Sequence, residues 1–390
     1  MVVSQERERR AYSYALGELI RQRAWVEIDS SALAHNARQF KALLKPGAGL
    51  MAVVKADAYG HGAVRVAPIL LEAGADSLAV ATLGEGIELR EAGITAPILL
   101  LGGINNPAEI RALAPWRLEP TLVSREQILQ VAQTLAEQGE TLPVHLKVDT
   151  GMSRLGIPWQ ETLQTVRLIR DLAPLKLQSL YSHLATADHP DPTVMNQQRR
   201  RFQEALTQLG QASLLPPVIH FANSAAALQG PHWHYDLVRV GLGLYGLYPA
   251  PHFQRRVNLR PALAVKAKIT QVKTLSPGAG VSYGHQFVSD RRMKIAVVGI
   301  GYADGVPRGL SNRLQVLIRG QKVRQIGAIT MDQLMLDVTH LPDLQVEEVV
   351  TLIGQDGSQS VGAEDWAQTL GTISWEILCG FKHRLPRILI

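Results

Sequence analysis

Short apolar runs alternating with helical patterns constrain this chain more than any other feature. Eight runs, LMAVVKA, SLAVAT, PILLLG, LEPTLV, VHLKVD, LQSLYSHLA, VIHFAN and LVRVGLGLYG, begin at Leu50, Ser77, Pro97, Leu118, Val144, Leu177, Val218 and Leu237. Segments such as AVRVAPILLEAG, LGEGIELREAG, REQILQVAQTLAEQG and ETLQTVRLIRDLA lie between them and repeat their apolar residues at helical spacing. Strands this apolar need cover on both faces, which a parallel sheet flanked by helices provides. Eight such units over roughly 200 residues fit a closed (β/α)8 barrel better than an open sheet. After Pro251 the texture changes to β-rich runs, including ALAVKAKITQVKTL, MKIAVVGIGYADG and LQVLIRGQKVRQIGAI, cut by Gly, Pro and Asn turns. The expected class is α/β: an N-terminal TIM-like (β/α)8 barrel followed by a mainly β C-terminal domain. The division expected is an N-terminal extension at 1–22, a barrel domain at 23–252 and a β domain at 253–390. The strand WVEID at 25–29 stands outside the count of eight and is free to join the β domain.

Composition bounds the function classes. A chain of 390 residues with 46% hydrophobic and 19% charged residues has a core large enough for two domains. The net charge of +6 comes without a dense Lys/Arg run interleaved with aromatics, so no nucleic-acid partner is expected. Cys379 is the single cysteine, which excludes an intramolecular disulfide framework and a cysteine-based metal site, and no metal is expected. The start, MVVSQERERRAYSYALGELIRQR, is charged early and does not read as a secretory signal. No apolar run spans a bilayer, so no membrane partner and a cytoplasmic location are expected.

Lys55 closes the first barrel strand, the end at which barrel enzymes place their active sites. A partly desolvated lysine there has a depressed pKa and becomes an amine nucleophile toward aldehydes. An ion pair with Asp57 is the plainer reading, and position alone leaves the two even. The surrounding string separates them. KADAYGHG is similar to the cofactor-lysine signature of the alanine racemase family, pyridoxal-phosphate enzymes of the barrel fold type. KVDTGMSRLG at 147–156, SHLATAD at 182–188, ANSAA at 222–226, VRVGLGLYG at 238–246, VSYGH at 281–285, GYADG at 301–305 and GAITMDQ at 327–333 resemble that family's blocks in the family's order. Together they cover nearly all of the chain beyond residue 23.

The resemblance implies a homodimeric alanine racemase that interconverts L- and D-alanine and supplies D-alanine for peptidoglycan. Lys55 would carry pyridoxal 5′-phosphate as a Schiff base. Barrels commonly bind phosphate in the loops after strands 7 and 8, here ANSAA and RVGLGLYG, where Gly241 and Gly243 let backbone N–H groups approach closely. The family's phosphate residues match Tyr59, Ser224, Gly241 and Leu242. Arg239 matches the group beside the pyridine nitrogen, with His183 supporting it. An arginine stays charged, disfavours protonation of that nitrogen and limits side reactions of the cofactor; an ordinary barrel-interior ion pair is the alternative.

Racemisation needs an acid and a base on opposite faces of the substrate. Lys55 serves one face, and Tyr283 of the partner subunit is the family's match for the other. Tyrosine ordinarily titrates near 10, so it needs cationic neighbours such as Arg154 and His183. Lys147 and Asp149 share one face of the fifth strand. Family members often carry a carbamylated lysine at Lys147, which would orient Arg154 toward the substrate carboxylate; an unmodified Lys147–Asp149 pair is simpler. Met331 and Asp332 match residues that complete the pocket across the dimer interface. Two departures stand out: His383 where relatives often have tyrosine, and Thr330 where some have cysteine. A serine or broad-specificity racemase is the alternative enzyme, since a methylene is worth only about 1–3 kcal/mol of discrimination. A non-catalytic PLP-binding barrel generally lacks the β domain that bears Tyr283. A decarboxylase would want an acidic partner for the ring nitrogen rather than Arg239.

Overall fold

The computed structural model describes residues 23–390, so the expected extension at 1–22 lies outside the described residues. The chain divides into two compact units, one of residues 31–260 and one of residues 261–390 together with the described residues up to Ser30.

The first unit is a closed barrel of eight parallel strands: Gly49–Val53, Ser77–Val80, Ile98–Gly103, Glu119–Leu122, Leu142–Asp149, Leu175–Tyr181, Val218–His220 and Leu237–Val240. Each pairs in parallel with the next. The eighth pairs with the first, aligning Arg239 with Met51, and this closes the ring. The eight strands are those that the apolar runs predict. Leu50, Ala52, Leu78, Val80, Leu100, Leu122, Val144, Leu146 and Leu180 are fully buried, each of the larger aliphatic side chains contributing about 1.5–3 kcal/mol. The intervening helices begin where the sequence supplies caps. Thr82 and Glu85 form a capping box, and Ser124 Oγ accepts from Gln127 N before the Arg125–Gln138 helix.

The second unit is a mixed sheet around the strand Leu263–Leu275, whose residues alternate buried and half-buried through Ile269. Ala24–Ile28 pairs antiparallel with it and parallel with Arg387–Leu389. The boundaries thus fall eight residues later at each end than the pattern suggests, for two reasons. The 24–28 strand has its hydrogen-bond partners in the β unit. Residues 258–260, in turn, are tied to the barrel: Asn36 brackets Arg260 through N and O, and His35 Nε2 meets Asn258 O at 2.8 Å. Among the described residues, no helix is long and apolar enough to cross a membrane.

Candidate active site

Alternation in a barrel strand sends every second side chain inward. Arg239, Lys147 and Asp149, and the series Ser179, Tyr181 and His183, occupy such positions near the C-terminal ends of their strands. Lys55 follows the first strand and is half-buried.

The chain just after Lys55 is unusual. Ala56, Asp57, Ala58 and Tyr59 all have φ between 53° and 56°, one turn of left-handed helix without a glycine. Such residues cost about 1–2 kcal/mol each, so the surroundings must hold them. Glu85 Oε1 accepts from Ala56 N at 2.7 Å, Asp57 Oδ1 accepts from Ala63 N at 2.7 Å, and Gly60 N donates to Ala56 O. The turn delivers the buried Tyr59 ring against Tyr245, with centroids 4.9 Å apart. The Tyr59 hydroxyl ends beside Gly241, where a Cβ would lie 2.4 Å from it. Gly241 N donates to Ser224 Oγ at 3.1 Å, and Leu242 is buried next in the chain. Two hydroxyls and a side-chain-free backbone N–H therefore converge, a donor set suited to a phosphate group.

Arg239 is 4% exposed and donates to His220 Nδ1 (3.0 Å), Ser182 O (2.8 Å), His183 Nδ1 (3.2 Å) and Phe221 O (3.3 Å). No carboxylate lies within ion-pair distance of it among the described residues, so the barrel ion pair open to it in sequence is not formed. Burial lowers its pKa to about 10, which leaves it a cation at neutral pH. Because arginine only donates, His183 must accept at Nδ1 and carry its proton on Nε2. Burial, then the charges of Arg239, Lys147, Arg154 and Lys55, hold the His183 imidazole well below its ordinary range and neutral.

Lys147 is 5% exposed, with Nζ 4.6 Å above the Tyr181 ring. Burial, then Arg239 and Arg154, bring its pKa down from 10.5 to about 7. The simple Lys147–Asp149 pair is not formed; Asp149 Oδ1 instead accepts from Gly151, Met152 and Ser153 N, shaping the loop that carries the exposed Arg154. A lysine that is half neutral near pH 7 among cations is a nucleophile for carbon dioxide, and an anion there would be attracted from several sides.

Tyr283, Met331 and Asp332 belong to the β unit. Tyr283 is 73% exposed, on a turn that Ser282 Oγ anchors to Ala328 O. An open cleft of about 840 Å³ includes Tyr283, His285, Thr330 and Gln333 in its lining. Tyr302 N and Ala303 N donate to Thr330 O and Met331 O, and a Cβ on Gly301 would lie 2.3 Å from Thr330 O, so GYADG and TMDQ interlock. Asp332 accepts from Arg384 at 2.7 Å, and His383 is exposed.

Sequence reasoning missed His145, Ser179, Tyr181 and His220, all buried in the barrel interior. Tyr181 is the plate between the cations: Arg239 and Lys147 lie over its ring and His220 stacks on it at 4.6 Å. Burial raises its pKa to about 12, so its hydroxyl stays protonated and donates to Thr121. The available signal was inward parity, which His145 shares with Lys147 and Asp149 on one strand and which Ser179 and Tyr181 share with His183 after another.

Two family models match: "Alanine racemase, N-terminal domain" over residues 28–249 and "Alanine racemase, C-terminal domain" over residues 262–389. The alanine racemase of a Synechocystis strain is 67% identical, over 95% of this chain and 100% of its own. That of a Nostoc strain is 59% identical over 94% and 96%. Among solved structures, the alanine racemase of Bacillus anthracis with bound L-Ala-P has a TM-score of 0.89 at 36% identity, covering 94% of this chain and 95% of that one. The Bartonella henselae alanine racemase with covalently bound pyridoxal phosphate has a TM-score of 0.84 at 32% identity, covering 94% and 99%.

Proposed function

The chain belongs to the alanine racemase family and shares its amino-acid isomerase activity, and we propose that it interconverts L- and D-alanine with pyridoxal 5′-phosphate by two bases, Lys55 and Tyr283 of the partner subunit. One observation carries this reading: Lys55 lies just past the C-terminal end of the first barrel strand, while Tyr59, Ser224 and Gly241 converge on a spot that a Cβ would fill. The residues present fit the cofactor. Lys55 Nζ would hold it, Tyr59, Ser224, Gly241 and Leu242 its phosphate, and Arg239, steadied by His183, its ring nitrogen. When bound, the cofactor supplies an electron-withdrawing ring that acidifies the substrate Cα–H bond.

Everything else falls to the chain's own groups. Lys55 Nζ moves a proton on one face and Tyr283 Oη on the other. Arg239 stays a cation because burial does not bring it near neutrality. Arg154 meets the substrate carboxylate, and Met331 and Asp332 complete the pocket. Lys147 becomes a carbamate: its neutral Nζ attacks the carbon of carbon dioxide, a proton leaves, and the resulting anion faces the neighbouring cations. The exposed Tyr283 and Met331 fit surfaces of a homodimer with shared sites. The enzyme is cytoplasmic and supplies D-alanine for peptidoglycan.

The test is borohydride reduction of the yellow protein, peptide mapping, and a substrate panel including serine assayed for Cα proton exchange. An adduct on Lys55 with inversion of alanine is expected. An adduct elsewhere, or serine turned over in preference to alanine, overturns the assignment.

A further inference from the structure

Arg239 is the start of a hydrogen-bond chain that runs away from the candidate active site. His220 Nε2 lies 2.8 Å from Ser179 Oγ, Ser179 Oγ lies 2.6 Å from His145 Nδ1, and His145 Nε2 lies 2.7 Å from Glu119 Oε2. Ser179, His145 and His220 are each at most 4% exposed. Glu119 opens the fourth strand, and its side chain is 19% exposed.

With one proton on each imidazole, donor capacity places every proton in this chain. The guanidinium only donates and the carboxylate only accepts. Arg239 donates to His220 Nδ1, so the remaining His220 proton is on Nε2. Burial, then Arg239 and His145, keep that imidazole neutral. His220 then donates to Ser179 Oγ, whose single proton goes to His145 Nδ1. His145 in turn donates from Nε2 to Glu119. Both ends impose the same direction, and no member is left with two donors or two acceptors face to face.

We propose that Glu119, His145 and Ser179 are positioning residues for Arg239, acting through His220 as a one-directional relay that fixes the guanidinium in the barrel interior. The inference rests on the assignment of Arg239 to the cofactor ring. The plain competitor is a polar network that merely stabilises the lower part of the barrel. The two differ in what they couple: a relay transmits a change at Glu119 to Arg239 through Ser179, whereas a stabilising network does not.

Two readouts test it on the full-length protein as purified. Nitrogen-15 histidine spectra at neutral pH are expected to show both His145 and His220 as Nε2–H tautomers. Either one in the Nδ1–H form, or doubly protonated, overturns the relay. Ser179→Ala and Glu119→Leu are each expected to lower kcat for alanine roughly tenfold with KM held within about twofold, the scale for outer partners of a functional group. Bleaching of the bound cofactor per turnover should rise several-fold in both, because a loosened Arg239 no longer restrains side reactions. Glu119→Gln, whose carbonyl still accepts from His145, should restore the wild-type values, and the Ser179→Ala, Glu119→Leu double variant should be no worse than Ser179→Ala. Additive losses, an unaffected Glu119→Leu, or a Glu119→Gln as impaired as Glu119→Leu refute the proposal. If Ser179→Ala fails to fold, the histidine spectra and the Glu119 pair still decide. A protein without a borohydride adduct on Lys55 fails the functional reading alone, and the histidine tautomers then judge the relay independently.

Discussion

Lys147 should destabilise the apoprotein in its charged form, and by an amount that depends on pH in a specific direction. Its pKa falls from 10.5 to about 7 on folding, with burial the main cause and Arg239 and Arg154 next. At about 1.4 kcal/mol per tenfold, protonating it in the folded state costs about 5 kcal/mol. Below pH 7 both folded and unfolded chains carry the proton, so the whole cost is present. Between pH 7 and 10.5 the unfolded chain binds more protons, so stability rises with pH. Above 10.5 the cost is gone. Lys147→Met removes the titration and nearly preserves the volume, but it loses the contact over Tyr181, worth about 1–2 kcal/mol. The expected net gain at pH 6 is about 3 kcal/mol, a rise in Tm of roughly 6–12 °C for a domain of this size. The gain should shrink as pH rises and vanish by pH 11, where the folded Lys147 is neutral and neither the burial cost nor the cation contact remains. Scanning calorimetry in buffers free of carbon dioxide measures it. A difference between wild type and Lys147→Met that is constant with pH, or a variant less stable at pH 6, refutes the reasoning. Adding bicarbonate should stabilise the wild type alone and give a carbamate carbon signal with 13C label.

Three further outcomes follow from named contacts. Gly241→Ala places a methyl 2.4 Å from the Tyr59 hydroxyl, so cofactor affinity, read by absorbance titration, should fall about tenfold or more, while Gly84→Ala, with open space around it, serves as a steric control. Ala56→Gly relieves one residue of the left-handed turn, with a gain of about 1 kcal/mol in thermal stability expected; a loss would mean that the turn is not strained. Tyr283→Phe should reduce conversion of L-alanine far more than cofactor binding. Mixed with inactive Lys55→Ala, it should regain partial activity once subunits exchange; no rescue despite proven exchange argues against a shared site.

The eight barrel strands were legible because most are short runs dominated by buried Leu, Val, Ile and Ala, and because Gly, Pro and polar turns punctuate them. The domain boundary was less legible. Nothing in the composition of WVEID says which sheet will take it; its backbone partners are Leu263–Ala267 and Arg387–Leu389, far away in sequence. Likewise, residues 253–260 read as the start of the β domain, but Asn36, more than 200 positions earlier, binds the backbone of Arg260 on both sides.

The site divides in the same way. Lys55, Tyr59, Ser224 and Gly241 sit in strings with recognisable spacing at strand ends, whereas Glu119, His145, Ser179 and His220 are polar letters scattered over four strands, and only the closure of the barrel makes them neighbours. Closure also explains why Lys147 is unusual. An isolated lysine at inward parity could have paired with Asp149 two residues on, but that carboxylate accepts three backbone N–H groups of the 151–153 loop. Among the described residues Arg239 equally has no carboxylate in ion-pair contact, its donors being engaged by two histidines and two carbonyls. Lys147 and Arg239 are thus two buried cations with no carboxylate in ion-pair contact among the described residues. Such a site is unfavourable until anions arrive, and a cofactor phosphate, a substrate carboxylate and a carbamate on Lys147 are the three anions that the proposed chemistry brings to it.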